Sequence, residues 1–306
     1  MPFQRQISSI RLHLFNLSEK IKSIIDTLLK NIAEQQRLEL IKSKPLHGGS
    51  INQVFLLETS KKQIVVKINK TDRFPGMFEK EAAGLERLRE TDSFKIPEVF
   101  NYSALDKHSY LLLEWLPPGK KTSTFWESFA NNLAALHQNT ASVFGLDIDN
   151  YIGSLPQYNK SDLDNSAKFY IEKRLQPQFK IAAEQGFHFK NLDNFYRQLE
   201  HEIPDEKASL IHGDLWAGNF YCAKGDIPAL IDPAVAYASR EMDIAMMQLF
   251  GGFPSDVFTT YNSIFPLEKD WEHRIEIWQL YYLLVHLNLF GAGYLSQVKG
   301  ILSKYA

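Results

Sequence analysis

The feature that most restricts the fold of this chain is a change of hydrophobic period part-way along it. From about Leu38 to Trp115 the period is two, as in Gln53-Val-Phe-Leu-Leu-Glu58 and Gln63-Ile-Val-Val-Lys67-Ile68, runs joined by the polar turn Thr59-Ser-Lys-Lys62. Period two puts successive side chains on opposite faces of a pleated ribbon, so these runs predict antiparallel strands. Tyr110-Leu-Leu-Leu-Glu-Trp115 predicts a further buried strand, and Glu79 to Arg89 is helical by composition. Pro117-Pro-Gly119 then stops regular structure. Beyond it, spacings of three and four predict helices over Phe125 to His137, Ala167 to Gln185, Phe189 to Glu200, Arg240 to Phe250 and Trp271 to Phe290. Short apolar runs at Ser209 to His212, Phe220 to Ala223 and Pro228 to Ile231 are the exception. Strands segregated from helices imply an α+β fold of two lobes. An antiparallel-sheet lobe covers residues 38–116 and a larger, mainly helical lobe residues 117–306, with Pro117 to Gly119 as hinge. Residues 1–37 form an N-terminal extension, whose segment 7–36 predicts an amphipathic helix packed on the main body.

Composition excludes several functions. With 34 Lys+Arg against 36 Asp+Glu the net charge is −2, so no basic field exists to hold a nucleic acid as main partner. One cysteine, Cys222, rules out an internal disulfide framework and multi-cysteine metal sites, and it fits a reducing compartment. Cys222 itself lies in an apolar run and reads as a packed thiol. The most apolar segment, Ile277 to Phe290, is cut by Gln279, His286 and Asn288, which predicts a buried helix and no membrane partner. Ile10 to Leu17 is broken by Arg11, His13 and Asn16 without a small-residue cleavage site, so the expected address is cytoplasmic. Oligomeric state is left open.

The segment richest in chemistry is Ile211-His212-Gly-Asp214-Leu-Trp216-Ala-Gly-Asn219-Phe, followed by Leu230-Ile-Asp232-Pro233. An Asp directly after a short strand, an Asn five residues on and a second Asp after the next strand pair bring three oxygen-bearing side chains to one end of a small sheet. Hard oxygen ligands suit Mg²⁺, and Mg²⁺ suits phosphates. Asp-x-x-x-x-Asn is also the spacing of the protein-kinase catalytic loop, in which the Asp receives the acceptor's proton and the Asn holds a metal. Asp214 is thus the candidate base, with Asn219 and Asp232 as metal ligands. Lys67 interrupts an apolar strand, where a charge is costly without partners. Glu81 or Glu79 can supply one partner and ATP phosphates another; Ala82, Ala83 and Leu85 beside Glu81 mark the packed side and favour it. The turn Gly48-Gly49-Ser50 gains a phosphate-contact reading only because Lys67 follows on the next strand, for adjacent glycines also serve tight turns. Glu114 and Leu116 at the lobe junction could offer backbone groups to an adenine ring. Trp216 could flank a substrate, and His286, Asn288 and Tyr294 could add polar contacts or be satisfied core residues. Asp243, in Arg240-Glu-Met-Asp243, is read as structural, either as a charge at a helix start or as a hydrogen-bond partner of the catalytic loop. His137 is read as structural too.

Taken together these residues resemble the fructosamine kinase (ketosamine kinase) family, a branch of the protein-kinase-like fold related to aminoglycoside and choline kinases. The resemblance runs from about Pro45 to Val298. Beside the motifs above it is carried by Asn150-Tyr-Ile-Gly-Ser154, by the Trp216 that follows Asp-Leu, by Leu249-Phe-Gly-Gly-Phe-Pro254 and by His286-Leu-Asn-Leu-Phe-Gly291. It implies ATP- and Mg²⁺-dependent phosphorylation of the 3-hydroxyl of ketosamines, free or protein-bound, whose phosphorylated adducts shed the sugar in protein deglycation. By position, Asp214 would orient or deprotonate the sugar hydroxyl, Asn219 and Asp232 would bind Mg²⁺, Lys67 and Glu81 would hold phosphates, and Trp216 would face the sugar. Asn150 and His286 join the expected substrate contacts. Ser50 stands where some members carry a cysteine used for redox-linked dimerisation, so disulfide control is not expected. Two alternatives remain: a kinase for another hydroxylated amine, which an acid-lined cleft would favour, and an inactive kinase-like binding module, which the joint presence of Lys67, Asp214, Asn219 and Asp232 disfavours.

Overall fold

The computed structural model describes residues 23–46 and 51–305. A helix over residues 23–35 (α1) leads into β1 (Leu40–Leu46), β2 (Gln53–Thr59), β3 (Gln63–Lys70), helix α2 (Met77–Arg89), β4 (Val99–Leu105) and β5 (His108–Glu114). The five strands form one antiparallel sheet in the order β1-β2-β3-β5-β4, with Lys67 of β3 opposite Val54 on one side and Leu111 on the other.

Strand alternation divides this sheet between two helices. Ile64, Val66 and Ile68 of β3, with Tyr110 and Leu112 of β5, pack against Leu28, Leu29, Ile32 and Ala33 of α1. Leu111 and Leu113 point the other way, toward Phe78, Ala82, Leu85 and Leu88 of α2. The unbroken apolar run of β5 is therefore that of a strand covered on both faces. Lys67 falls on the α2 face, opposite Val66. The part of the N-terminal extension that lies within the described residues is thus a wall of the small lobe's core. Residues 7–22 of the expected helix lie outside them. Leu29 is fully buried, so Leu29→Ala should cost about 2–5 kcal/mol in urea unfolding; a loss under about 0.5 kcal/mol would show α1 to be dispensable.

The larger part contains α3 (Phe125–His137), β6 (Thr140–Ala141), a hairpin β7 (Asn150–Ile152) and β8 (Leu155–Gln157), then α4 (Ser166–Phe169), a π-helical turn (Tyr170–Leu175), α5 (Gln176–Glu184) and α6 (Leu192–Glu202). Strands β9 (Ala208–Ile211), β10 (Phe220–Ala223), β11 (Ile227–Leu230) and β12 (Ala236–Ala238) precede α7 (Glu241–Leu249), α8 (Ser255–Ile264), α9 (Trp271–Phe290) and α10 (Leu295–Tyr305). Short sheets β12-β9-β6 and β10-β11 hold the two loops that follow β9 and β11. Helix α9 is buried nearly all round, which is why no polar stripe appears in its sequence. Its charged Arg274 is carried by Glu241 at 2.5 and 2.9 Å, a carboxylate that also accepts from Trp278 Nε1 at 2.7 Å.

The chain departs from the sequence reading where apolar signals are thin. Helix α8 buries only Val257 and Tyr261, one turn apart. Strand β4 is a half-exposed sheet edge without a buried alternation. The helix expected over Ala167 to Gln185 contains the π-turn, a local widening of the helix that carries the buried Arg174. Among the described residues no helix is long and apolar enough to cross a membrane.

Candidate active site

The loop between β9 and β10 is fixed by its backbone. Asp243, on the first turn of α7, is buried and accepts from the backbone N–H of His212 at 2.8 Å and of Gly213 at 2.9 Å. Its carboxylate also meets His137 Nε2 at 3.3 Å, and Tyr261 OH lies 2.8 Å from His137 Nδ1. Both readings of Asp243 from the sequence therefore hold together: it starts a helix and it pins the loop. Gly213 has φ +81°, and a Cβ there would lie 2.1 Å from the Ala234 carbonyl oxygen. Only glycine permits this approach between the two loops. His212 is buried, which lowers its pKa, and its Nε2–H donates to the Ile231 carbonyl at 2.9 Å. That bond ties the first loop to the strand leading into the second.

Asp214 is presented at the tip of this loop. Asn219 Nδ2 donates to the Asp214 carboxylate at 3.0 Å and to its main-chain carbonyl at 2.9 Å, closing the Asp-x-x-x-x-Asn turn. Burial, then the nearby charge of Asp232, push the Asp214 carboxyl up to about 7; the Asn219 bond opposes the rise and Asp243 adds to it. A carboxyl tuned to this range suits a proton acceptor at neutral pH.

Lys67 reaches across from β3. Its ammonium contacts Glu81 Oε1 at 2.5 Å and also pairs with Asp232 Oδ1, so the helix carboxylate that meets it is Glu81 rather than Glu79. Burial would lower the Lys67 pKa, but Asp232 and then Glu81 outweigh it and hold the cation above its usual range. Asp232 has φ +55°, a left-handed conformation that turns its side chain out of the chain's path, and that side chain is 40% exposed.

These residues fit a magnesium ion bound together with phosphates. Asn219 uses its amide nitrogen for Asp214 and so leaves Oδ1 free to ligate, while Asp232 keeps its second oxygen beyond the Lys67 pair. Among the described residues no group of three or more His, Cys, Asp or Glu forms a closed metal cage. One carboxylate plus an amide is an open set of the kind Mg²⁺ uses when substrate phosphates complete its shell.

All of these groups open on a cavity of about 380 Å³. Lys67, Glu81, Asp214, Asn219 and Asp232 line one end, and the wall continues through Trp216, Ile152, Phe250, His286 and Phe290. The Trp216 ring lies directly over Gly218, where any Cβ would stand about 2.3 Å from it. His286 donates from Nδ1 to the Tyr282 carbonyl at 2.7 Å and sits among the rings of Phe250, Phe290 and Tyr294. Its pKa is lowered by burial, so the ring is neutral with Nε2 as an acceptor.

One expectation from the sequence changes. Asn150 borders the cavity, but its Nδ2 donates to the Val235 carbonyl at 2.9 Å and its Oδ1 accepts from Gln157 and Asn159. Its amide holds the β7–β8 hairpin to the Asp232 loop and is not free for a substrate. Glu114 and Leu116 stand at the lobe junction, outside the lining of this cavity. The Glu114 N–H donates to Glu98 O, its carboxylate takes Lys95, and the Leu116 carbonyl accepts from Tyr221 OH at 3.3 Å. Gly48, Gly49 and Ser50 lie outside the described residues. Asn288 donates to Gln178 and is a core residue, as is His137.

A family model described as fructosamine kinase matches residues 21–306. The chain belongs to the fructosamine kinase family. As a family member it is an ATP-dependent kinase with a protein-kinase-like fold. A protein of Enterococcus faecium assigned as a ketoamine kinase is 38% identical over 85% of this chain and 94% of its own length. One from Synechocystis is 36% identical over 88% and 92%. The crystal structure of a protein assigned as a fructosamine-3-kinase from Haemophilus somnus superposes with a TM-score of 0.82 at 31% identity, covering 90% of this chain and 96% of the other. An aminoglycoside phosphotransferase, at 14% identity and a TM-score of 0.62 over 92% and 99%, shares the fold alone. The fructosamine kinase model begins before α1, in keeping with that helix's place in the small lobe.

What the sequence reading of this fructosamine kinase family member missed is the support behind the site. Gln157 donates to Asn150 and to the Ala234 carbonyl, and accepts from Tyr281 OH at 2.7 Å. Arg174 in turn donates to Asn159 at 2.7 Å. Spacing does not connect them, for Gln157 is followed by Tyr158, Asn159 and Lys160 and Arg174 stands beside Glu172, Lys173 and Gln176, polar surroundings in which neither reads as a buried support.

Proposed function

We propose that the protein transfers the γ-phosphoryl group of ATP to the 3-hydroxyl of a ketosamine. Asp214 accepts the hydroxyl proton as the O3–P bond forms and the bond to the bridging oxygen of ADP breaks. Lys67, oriented by Glu81, holds the nucleotide phosphates. Asn219 Oδ1 and the free oxygen of Asp232 would hold Mg²⁺, which when bound supplies charge neutralisation at the transferring phosphate. Trp216 and His286 contact the sugar-amine. Phosphorylation at this position leaves an adduct that sheds its sugar, and the role proposed is deglycation in the cytoplasm.

The observation that carries the choice of acceptor is the cavity wall. Among the described residues its carboxylates are Glu81, Asp214 and Asp232, all at the phosphate end; the wall around His286 is aromatic and aliphatic, and the other polar lining residues, Asn52, Lys80 and Asn150, add no acid. A polycationic acceptor such as an aminoglycoside would find no acidic partners there, and burying its charges unpaired is costly. A small sugar-amine carries a single amine that can rest on ring faces. The test is ATP consumption with fructosyl-lysine, ribulosyl-lysine, aminoglycosides and choline. Turnover is expected with the first two; activity confined to the last two would overturn the reading.

A further inference from the structure

Among the described residues two lysines line the cavity, Lys67 and Lys80. Lys67 is held between Glu81 and Asp232 at the phosphate end. Lys80 precedes Glu81 on α2 and so leaves the helix in a different direction. It is half-buried, and its ammonium stands 4.9 Å over the Tyr151 ring of β7. The Tyr151 hydroxyl donates to the Pro75 carbonyl at 3.0 Å, just before α2, which braces that ring. Among the described residues no carboxylate reaches ion-pair distance of the Lys80 ammonium. Glu81 is taken by Lys67, Glu79 is exposed, and Asp149 accepts from the backbone N–H groups of Asn159 and Lys160. A ring face steadies a cation without neutralising it. Lys80 also stands on the acceptor's side of the cavity. Ile152 and Gly153, which follow Tyr151, line the same space, and a Cβ on Gly153 would lie 2.9 Å from Leu289 Cδ1 of α9. The hairpin under Lys80 therefore abuts the α9 wall of His286 and Phe290, where the sugar-amine is placed.

We infer that Lys80 binds a carboxylate on the amine side of the acceptor, so that ketosamines of free amino acids are preferred over those of lysines within a polypeptide. A free amino acid keeps its α-carboxylate when its amine is glycated, whereas a chain-internal lysine has its own tied in a peptide bond. The inference rests on the acceptor reading given above and narrows it. It gives each charged part of such a substrate a counterpart: the amine rests on the ring faces, and the carboxylate meets the one lining lysine that no carboxylate of the described residues compensates.

The test is Lys80→Met, which keeps an unbranched stem and removes the charge, assayed with two matched pairs: fructosyl-glycine against fructosyl-glycinamide, and fructosyl-lysine against its α-carboxamide. The quantity read is the ratio of kcat/KM for the acid to kcat/KM for the amide. In at least one pair this ratio should fall about fivefold to thirtyfold from wild type to variant, the effect of a charge-assisted contact at a half-exposed site. The pair that shows the fall gives the distance of the carboxylate from the sugar. Lys80→Glu should lower the same ratio further, since like charges then face each other. Each ratio is taken within one protein, so a loss of folded enzyme cancels. Ratios within twofold of the wild type in both pairs would overturn the inference. A raised KM for ATP with both ratios held would assign the ammonium to the nucleotide phosphates and would overturn it too. Wild-type turnover of all four sugar-amines with unchanged ratios would refute this inference alone, whereas turnover confined to aminoglycosides or choline would refute the acceptor reading along with it.

Discussion

Asp214→Asn should reduce kcat for sugar-amine phosphorylation by about a hundredfold to ten-thousandfold, with the KM for ATP within a few-fold of the wild type. The carboxylate faces the acceptor, and the phosphates are held by other groups. Asparagine preserves the shape and the turn closed by Asn219 but cannot take a proton. The same substitution should also raise stability, which separates its effect from simple damage. The folded Asp214 carboxyl titrates at about 7, above its unfolded value, so the folded state binds the proton more tightly. The stability due to protonation is present in acid and lost as pH rises through about 7. Above that pH the metal-free wild type carries a half-buried carboxylate beside Asp232, and the variant does not. Asp214→Asn should then melt about 2 °C or more above the wild type at pH 8, with the gap closing toward pH 5. Equal turnover, or a variant less stable at pH 8, would contradict these roles.

Lys67→Met should be damaging twice over. Lys67 is 5% exposed and faces both Glu81 and Asp232. Removing the cation strands two carboxylates, and breaking such a buried pair costs about 3–5 kcal/mol. Phosphoryl transfer should fall at least a hundredfold, because the phosphates lose their protein cation. The double variant Lys67→Met with Glu81→Leu distinguishes the two losses. It replaces the pair by apolar groups and should recover most of the stability in urea unfolding, while turnover stays lost. A double variant that regained activity would show that Lys67 serves only to neutralise its neighbours. One as unstable as Lys67→Met would mean that Glu81 is not the stranded charge.

The residues that lie close in sequence were the legible part of the site. His212 to Asn219 and Ile231 to Pro233 form two consecutive loops on short strands, and the spacing that named Asp214, Asn219 and Asp232 is the spacing that folds them together. Lys67 was visible because a charge interrupted an apolar strand. Its partner could be chosen between Glu79 and Glu81 from the packed side of α2, where Ala82 and Leu85 are buried. Asn150 shows the limit. A polar residue in a motif can be a ligand or a support, and only its hydrogen bonds to Val235, Gln157 and Asn159 distinguish the two. At the lobe junction Glu114 ends a paired strand with its N–H on Glu98 O and its carboxylate on Lys95, bonds that spacing does not show.

The most direct measurement is the position of the phosphate on the product. Incubation with ATP, Mg²⁺ and fructosyl-lysine, followed by phosphorus and carbon NMR, should show a monoester on the third carbon of the sugar. On standing, that product should release free lysine and inorganic phosphate. A phosphate on another hydroxyl, or ATP consumed without any phosphorylated sugar-amine, would contradict the placement of the acceptor between Asp214 and the aromatic wall.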